Sequence, residues 1–242
     1  MAAQPRVLQL ILVPHRPVHT DEEINEDLAP AFNIIQRFVG CKLLSRLYPR
    51  AQLRLRDRAK GLQAVWRGKK HEDRYTQVAI LLWESLEASH RFFTSSNYTE
   101  FHKVIQPAMN GRKITWQNHV TIQSQGLADK AHLSKTLQSP AIEVALTKVV
   151  EGGVQGYYSQ FQKIVVPILD NDPGCDGHFI SALLENAQDQ LLLINWKSVD
   201  AHHEDFERKP TFEACIDGLK DYYAEFVIPW HIVSLKLVQG SL

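Results

Sequence analysis

Apolar residues run almost unbroken from Val7 to Val13 and from Leu191 to Ile194, and they nearly alternate with polar ones over 141–149 (AIEVALTKV). Such runs predict strands, the unbroken ones in a sheet covered on both faces. Tyr158, Phe161, Val165 and Ile168 recur at helical spacing and mark a helix over 155–169. The breaker cluster Asp170-Asn171-Asp172-Pro173-Gly174 ends it. Strands follow at 178–185 and 190–196, around a polar turn at 186–189. Ser198 reads as the N-cap of a helix reaching Phe206. A further helix opens at Pro210 and ends near Tyr223, and a last strand covers 226–238.

The first half repeats the pattern: a strand at 6–13, a helix at 21–39, strands at 41–47 and 76–83, a helix at 85–109 and a strand at 114–123. Both halves therefore read β-α-β-β-α-β, the ferredoxin-like unit. The predicted units are 1–123 and 141–242, joined by a linker at 124–140. A basic insertion at 49–75 interrupts the first.

The repeat is also visible residue by residue. LLWESLEASHRFF (81–93) matches INWKSVDAHHEDF (194–206). Trp83, Ser85, Ala88, His90 and Phe93 fall opposite Trp196, Ser198, Ala201, His203 and Phe206, each at an offset of 113. Upstream, Gly40-Cys41 matches Gly174-Cys175 at an offset of 134, and 134 − 113 = 21 extra residues separate these landmarks in the first copy. Trp116 and Trp230 match at 114. One bare sheet face on each unit predicts two tandem units whose sheets pack as a pseudo-two-fold α+β barrel.

Composition narrows the function. The 27 basic and 27 acidic residues among 242 cancel, which gives no reason to expect a nucleic acid or a membrane as partner. The three cysteines are scattered, without a Cys-x-x-Cys pair, so neither a disulfide framework nor a thiolate zinc site is expected. No signal pattern opens the chain, and the expected location is the cytoplasm. The insertion at 49–75 is basic, but the strands lack the exposed aromatics that stack RNA bases, so it is expected to be a solvated excursion or a lid.

W-[EK]-S-[LV]-[ED]-A-x-H, between a strand and a helix, together with Gly-Cys before the second strand, resembles the dimeric α+β barrel superfamily. The antibiotic-biosynthesis-monooxygenase and stress-responsive barrel branches are the nearest in pattern. The resemblance implies a hydrophobic small-molecule ligand between sheet and helices and no cofactor. The expected activity is cyclisation, isomerisation or elimination on a polyketide- or terpenoid-like substrate in secondary metabolism, with cofactor-free monooxygenation or a non-catalytic ligand-carrier or interaction module as the alternatives. A homodimer of the fused pair also stays open.

Candidate chemistry follows from polar residues in apolar strands. Glu143 stands where the first copy has Leu8, and a carboxylate there is costly unless protonated or paired. Asn195 precedes Trp196 and faces the other way, with Leu82 as its counterpart. His203 and His231 are acid/base candidates. Trp83, Trp196, Tyr157, His119 and Trp230 are expected to line a substrate site. No metal is expected, because His202 and His203 are adjacent on a helix and should face apart.

Overall fold

The computed structural model describes residues 5–18, 20–39, 61–240 and 242. Two compact units emerge, Met1–Lys69 with Asp73–His119 and Lys236–Leu242, and Lys70–Glu72 with Val120–Leu235. The first contains β1 (Val7–Pro14), α1 (Asp21–Val39), β2 (Leu62–Lys70), β3 (Thr76–Trp83), α2 (Leu86–Phe93), α3 (Ser96–Met109) and β4 (Trp116–Thr121). Its strands lie in the order β4-β1-β3-β2. Asp21, Glu22 and Glu23 in the first turn of α1 suit the positive end of the helix dipole. Ile24, Leu28, Ala31 and Ile34 form its buried stripe. The predicted helix at 85–109 is two helices: Ser85 caps α2 by accepting from the Ala88 N–H, and Ser95 caps α3 by accepting from that of Tyr98.

The second unit contains α4 (Lys130–Thr136), β5 (Ala141–Val149), α5 (Val154–Gln160) and a π-helical turn at Phe161–Val165 that continues into α6 (Val166–Asn171). There follow β6 (Cys175–Ala182), β7 (Asp189–Trp196), a second π-helical turn at Ala201–Phe206, α7 (Pro210–Leu219) and β8 (Tyr223–Gly240). The strand order β8-β5-β7-β6 is that of the first unit again. The fold is α+β, with two ferredoxin-like units in tandem. Residues 124–140, expected as a linker, instead carry α4, which packs on β6 and buries Leu133.

Two further expectations change. The strand placed at 41–47 lies outside the described residues, as does Gly40-Cys41, and the strand that pairs with β3 is Leu62–Lys70. It starts inside the stretch read as a basic excursion. Its charges are used within the unit: Lys69 pairs with Asp21, Arg67 donates to Gln77 Oε1, and Arg74 donates to the Val18 carbonyl. The true counterpart of Gly174-Cys175 is therefore Gly61-Leu62, at the same offset of 113 as the tryptophan motif. Leu62 pairs with Trp83 and Cys175 with Trp196, and a bulge follows each at Leu62/Ala64 and Cys175/Gly177. The Gly61 carbonyl accepts from the Glu84 N–H as that of Gly174 does from Lys197.

The two glycines are not equally constrained. Gly61 has φ +132°, and an added Cβ would fall on the Ala88 methyl, whereas one on Gly174 would sit 3.3 Å from the Ala201 methyl. Gly61→Ala is expected to destabilise the protein by roughly 2–4 kcal/mol and Gly174→Ala by under about 1, because strain and overpacking add only at the first. Urea denaturation of the two variants measures the difference.

Candidate functional site

A cavity of about 150 Å³ lies within the second unit, between its sheet and its helices. Alternate residues of two strands form the floor, Glu143, Ala145 and Thr147 from β5 and Leu192 and Ile194 from β7. Tyr157, Phe161, Val165 and Leu169 come from the long helical run, and Cys215 and Leu219 from α7. Phe226 and Pro229 line it from β8, next to Ile228, which is 83% exposed.

Glu143 is the carboxylate of this apolar floor and is only 6% exposed. Its Oε2 accepts from Trp196 Nε1 at 2.8 Å and stands 3.3 Å from His202 Nε2. Burial raises its pKa to about 7 against the Trp196 N–H; the Glu207 charge adds to the rise, and His203 opposes it. His202 stacks on the Trp196 indole, with ring centroids 4.9 Å apart at 19°. Burial pushes its pKa down to about 3, and the neighbouring His231 and His203 rings push the same way. His202 Nδ1 meets His231 Nε2 at 2.9 Å, and His231 Nδ1 meets Glu72 Oε1 at 2.8 Å. The Glu72 carboxylate also accepts from the His231 backbone N–H. Burial alone would raise the Glu72 pKa, but these two hydrogen bonds from His231 override it and hold the value at about 2.

The candidate residues thus separate. Glu143, Trp196, Tyr157 and His231 converge, the first and third on the cavity itself. Burial pushes the Tyr157 phenol pKa upward, so it is a neutral group at physiological pH. Asn195 turns away: its Nδ2 donates to the Lys135 carbonyl at 2.8 Å, on the sheet face that α4 covers. His203 stays 42% exposed with Nδ1 on Glu207 Oε2 at 2.7 Å. Trp230 carries Lys70 over its ring at 5.3 Å and does not line the cavity. Trp83 and His119 belong to the first unit.

His202, Glu72 and Glu207 escaped the sequence reading. His202 and His203 do not face apart, their ring centroids being 4.7 Å apart. The Glu207 N–H bonds to the His202 carbonyl five residues back, which makes this turn π-helical and sets the two rings side by side. One ligating atom from each of His202, His203 and His231 lies within 4.8 Å of the others, a composition that suits a divalent transition metal. In this conformation, however, the His202–His231 contact has hydrogen-bond length and His203 Nδ1 is engaged by Glu207.

Residues 140–218 match the family model described as antibiotic biosynthesis monooxygenase. No curated protein matches the chain by sequence. Among solved structures, an anthrone oxidase-like protein aligns with 99% of this chain and 96% of its own at 12% identity and a TM-score of 0.62. A protein provisionally described as a monooxygenase from Fusobacterium nucleatum aligns over 99% and 98% at 12% identity and 0.56. Another so described, from Lactobacillus acidophilus NCFM, aligns over 99% of both chains at 9% identity and 0.53. These likenesses show a shared fold across both units.

The first unit holds a counterpart of this site that lacks the buried carboxyl. Trp83 Nε1 donates to Gln9 Oε1 at 2.8 Å, as Trp196 does to Glu143. Ser89 Oγ meets His119 Nε2 at 2.9 Å, as His202 Nδ1 meets His231 Nε2. Gln9, at the offset of 134, is therefore the counterpart of Glu143, in place of Leu8, and Ser89 is that of His202 at 113. Glu143 and His202 occur in the second unit, and neutral side chains occupy their places in the first.

Gln9 shows that an amide fits beside this indole, so Glu143→Gln should fold. The folded pKa of Glu143 is about 7 against an ordinary 4.5. The unfolded carboxyl therefore ionises first, and the native protein loses stability as pH rises from about 4.5 through 7. Glu143→Gln is expected to remove that loss, gaining up to a few kcal/mol over the native protein at pH 8 and almost nothing at pH 4.5. Thermal unfolding across this range checks it.

Proposed function

We propose that the second unit is a cofactor-independent monooxygenase of the antibiotic-biosynthesis type, acting on a hydrophobic, aromatic substrate of polyketide character. The observation that carries this reading is Glu143, a carboxyl buried in an apolar cavity and poised at about 7, where it can take a proton near neutral pH. The matched domain model and the monooxygenase-like structures of the same fold support it.

In the proposed reaction ionised Glu143 takes a proton from an activated methylene. The carbanion gives its electrons to O₂, and the resulting hydroperoxide loses water, so that R₂CH₂ + O₂ becomes R₂C=O + H₂O. The substrate itself is the reductant. A cavity of about 150 Å³ holds roughly one aromatic ring, as other apolar cavities of this size do. The reacting ring would sit over Glu143, with the remainder of the substrate emerging past Phe226 and Pro229.

Dithranol, an anthrone with an acidic methylene, is a suitable probe. Oxygen uptake above its spontaneous rate is expected to rise with pH through about 7, as Glu143 ionises. It should fall by about 10² or more in Glu143→Gln. Isomerisation or cyclisation would begin with the same proton abstraction, and turnover that persists without O₂ would assign that chemistry instead.

A further inference from the structure

We propose that Glu143, His202, His231 and Glu72 form a proton relay that carries the abstracted proton out of the cavity, with His202 changing tautomer as Glu143 changes charge. The destination of the proton rests on the monooxygenase reading; the relay itself rests on geometry. Three consecutive contacts of 3.3, 2.9 and 2.8 Å join Glu143 Oε2 to His202 Nε2, His202 Nδ1 to His231 Nε2, and His231 Nδ1 to Glu72 Oε1. Each imidazole uses one nitrogen toward the cavity and the other toward Glu72. The Glu72 end is one-third exposed, while both rings are buried.

Glu72 sets the polarity of the chain. An ionised carboxylate is acceptor-only, so His231 Nδ1 must carry a hydrogen. Two arrangements then satisfy every contact. In one, Glu143 is protonated and donates to His202 Nε2, and His202 Nδ1–H donates to a neutral His231. In the other, Glu143 is ionised and accepts from His202 Nε2–H. His202 Nδ1 now accepts from His231, an imidazolium held by Glu72. One arrangement becomes the other when the Glu143 proton passes to His202 Nε2 and the His202 Nδ1 proton passes to His231. His202 is neutral before and after, in keeping with a site whose burial disfavours its charged form. The first unit cannot do this, since Ser89 and Gln9 stand at the places of His202 and Glu143.

Other groups also face Glu143. The π-helical turn brings His203 and its partner Glu207, β8 brings His231, and β6 brings Cys175. Burial keeps Cys175, and Tyr157 and Cys215 of the cavity wall, protonated. His203 and its partner Glu207 are the remaining ionisable neighbours, and a His203→Gln control separates their effect from that of the relay.

The test reads the Glu143 carboxyl by infrared difference spectroscopy over pH, with Glu143→Gln to assign the band, in native protein and in Glu72→Gln. If Glu72 acted only through space, removing its negative charge would make Glu143 easier to ionise and lower its midpoint. In the relay, removing it costs ionised Glu143 its imidazolium partner, and the midpoint rises by about one pH unit. An upward shift supports the relay; no shift or a downward one overturns it. Nitrogen NMR of the native protein gives an independent reading. His202 should carry its hydrogen on Nδ1 where Glu143 is protonated and on Nε2 where Glu143 is ionised and His231 charged; the two forms hold the same number of protons, so temperature shifts their ratio, and a single fixed His202 tautomer beside both Glu143 bands overturns the relay without any variant. A rising midpoint without dithranol-dependent oxygen uptake would leave the relay standing and remove the monooxygenase reading. Oxygen uptake with a fixed tautomer would do the reverse.

Discussion

The second unit depends on one costly act: a carboxyl group is placed on the inner face of a central strand. β5 is otherwise apolar on that face except for Thr147, and an unpartnered carboxylate there would cost several kcal/mol. The surroundings answer this cost in parts. The Trp196 indole supplies a donor, His202 stacks on the same indole and supplies a base, and His231 and Glu72 fix the orientation of His202. The π-helical turn that brings His202 inward is part of the same solution, since it allows the second histidine to stand beside the first. In the proposed reaction this same group, expensive to charge and held against a base, is the proton acceptor.

Much of the architecture was legible in the chain. Trp83-x-Ser85 and Trp196-x-Ser198 each close a strand and open a helical turn, and both tasks are local, so similar residues recur at a fixed spacing. The second strand of the first unit was harder. The dipeptide Gly40-Cys41 imitates Gly174-Cys175 better than Gly61-Leu62 does. What recurs is a residue before the bulge whose carbonyl meets the N–H after the strand-ending tryptophan, a glycine in both copies but demanded by the backbone only at Gly61, and the cysteine is incidental.

The site was legible only in part, for reasons specific to each residue. Glu143 stood out because a charge in an apolar strand is anomalous wherever it occurs. Period two placed Asn195 opposite Trp196 correctly, but it does not say which face the ligand occupies; α4, hidden in a stretch that looked like a linker, covers the Asn195 side. His202 was masked by its neighbour, because His203 matched His90 while His202 faced a serine. Glu72 lies 159 residues from His231 and within a basic stretch, where no local pattern marks it.

The pairing of Gln9 with Glu143, and of Ser89 with His202, has a consequence for how such a protein can change. In a homodimer of single units every substitution appears twice, so an active site cannot be lost on one side and kept on the other. Two units in one chain are released from that constraint. One can keep the fold, and even the hydrogen bond to its tryptophan, while giving up the ionisable groups. The other can keep them, so that the two halves answer to different demands within one chain.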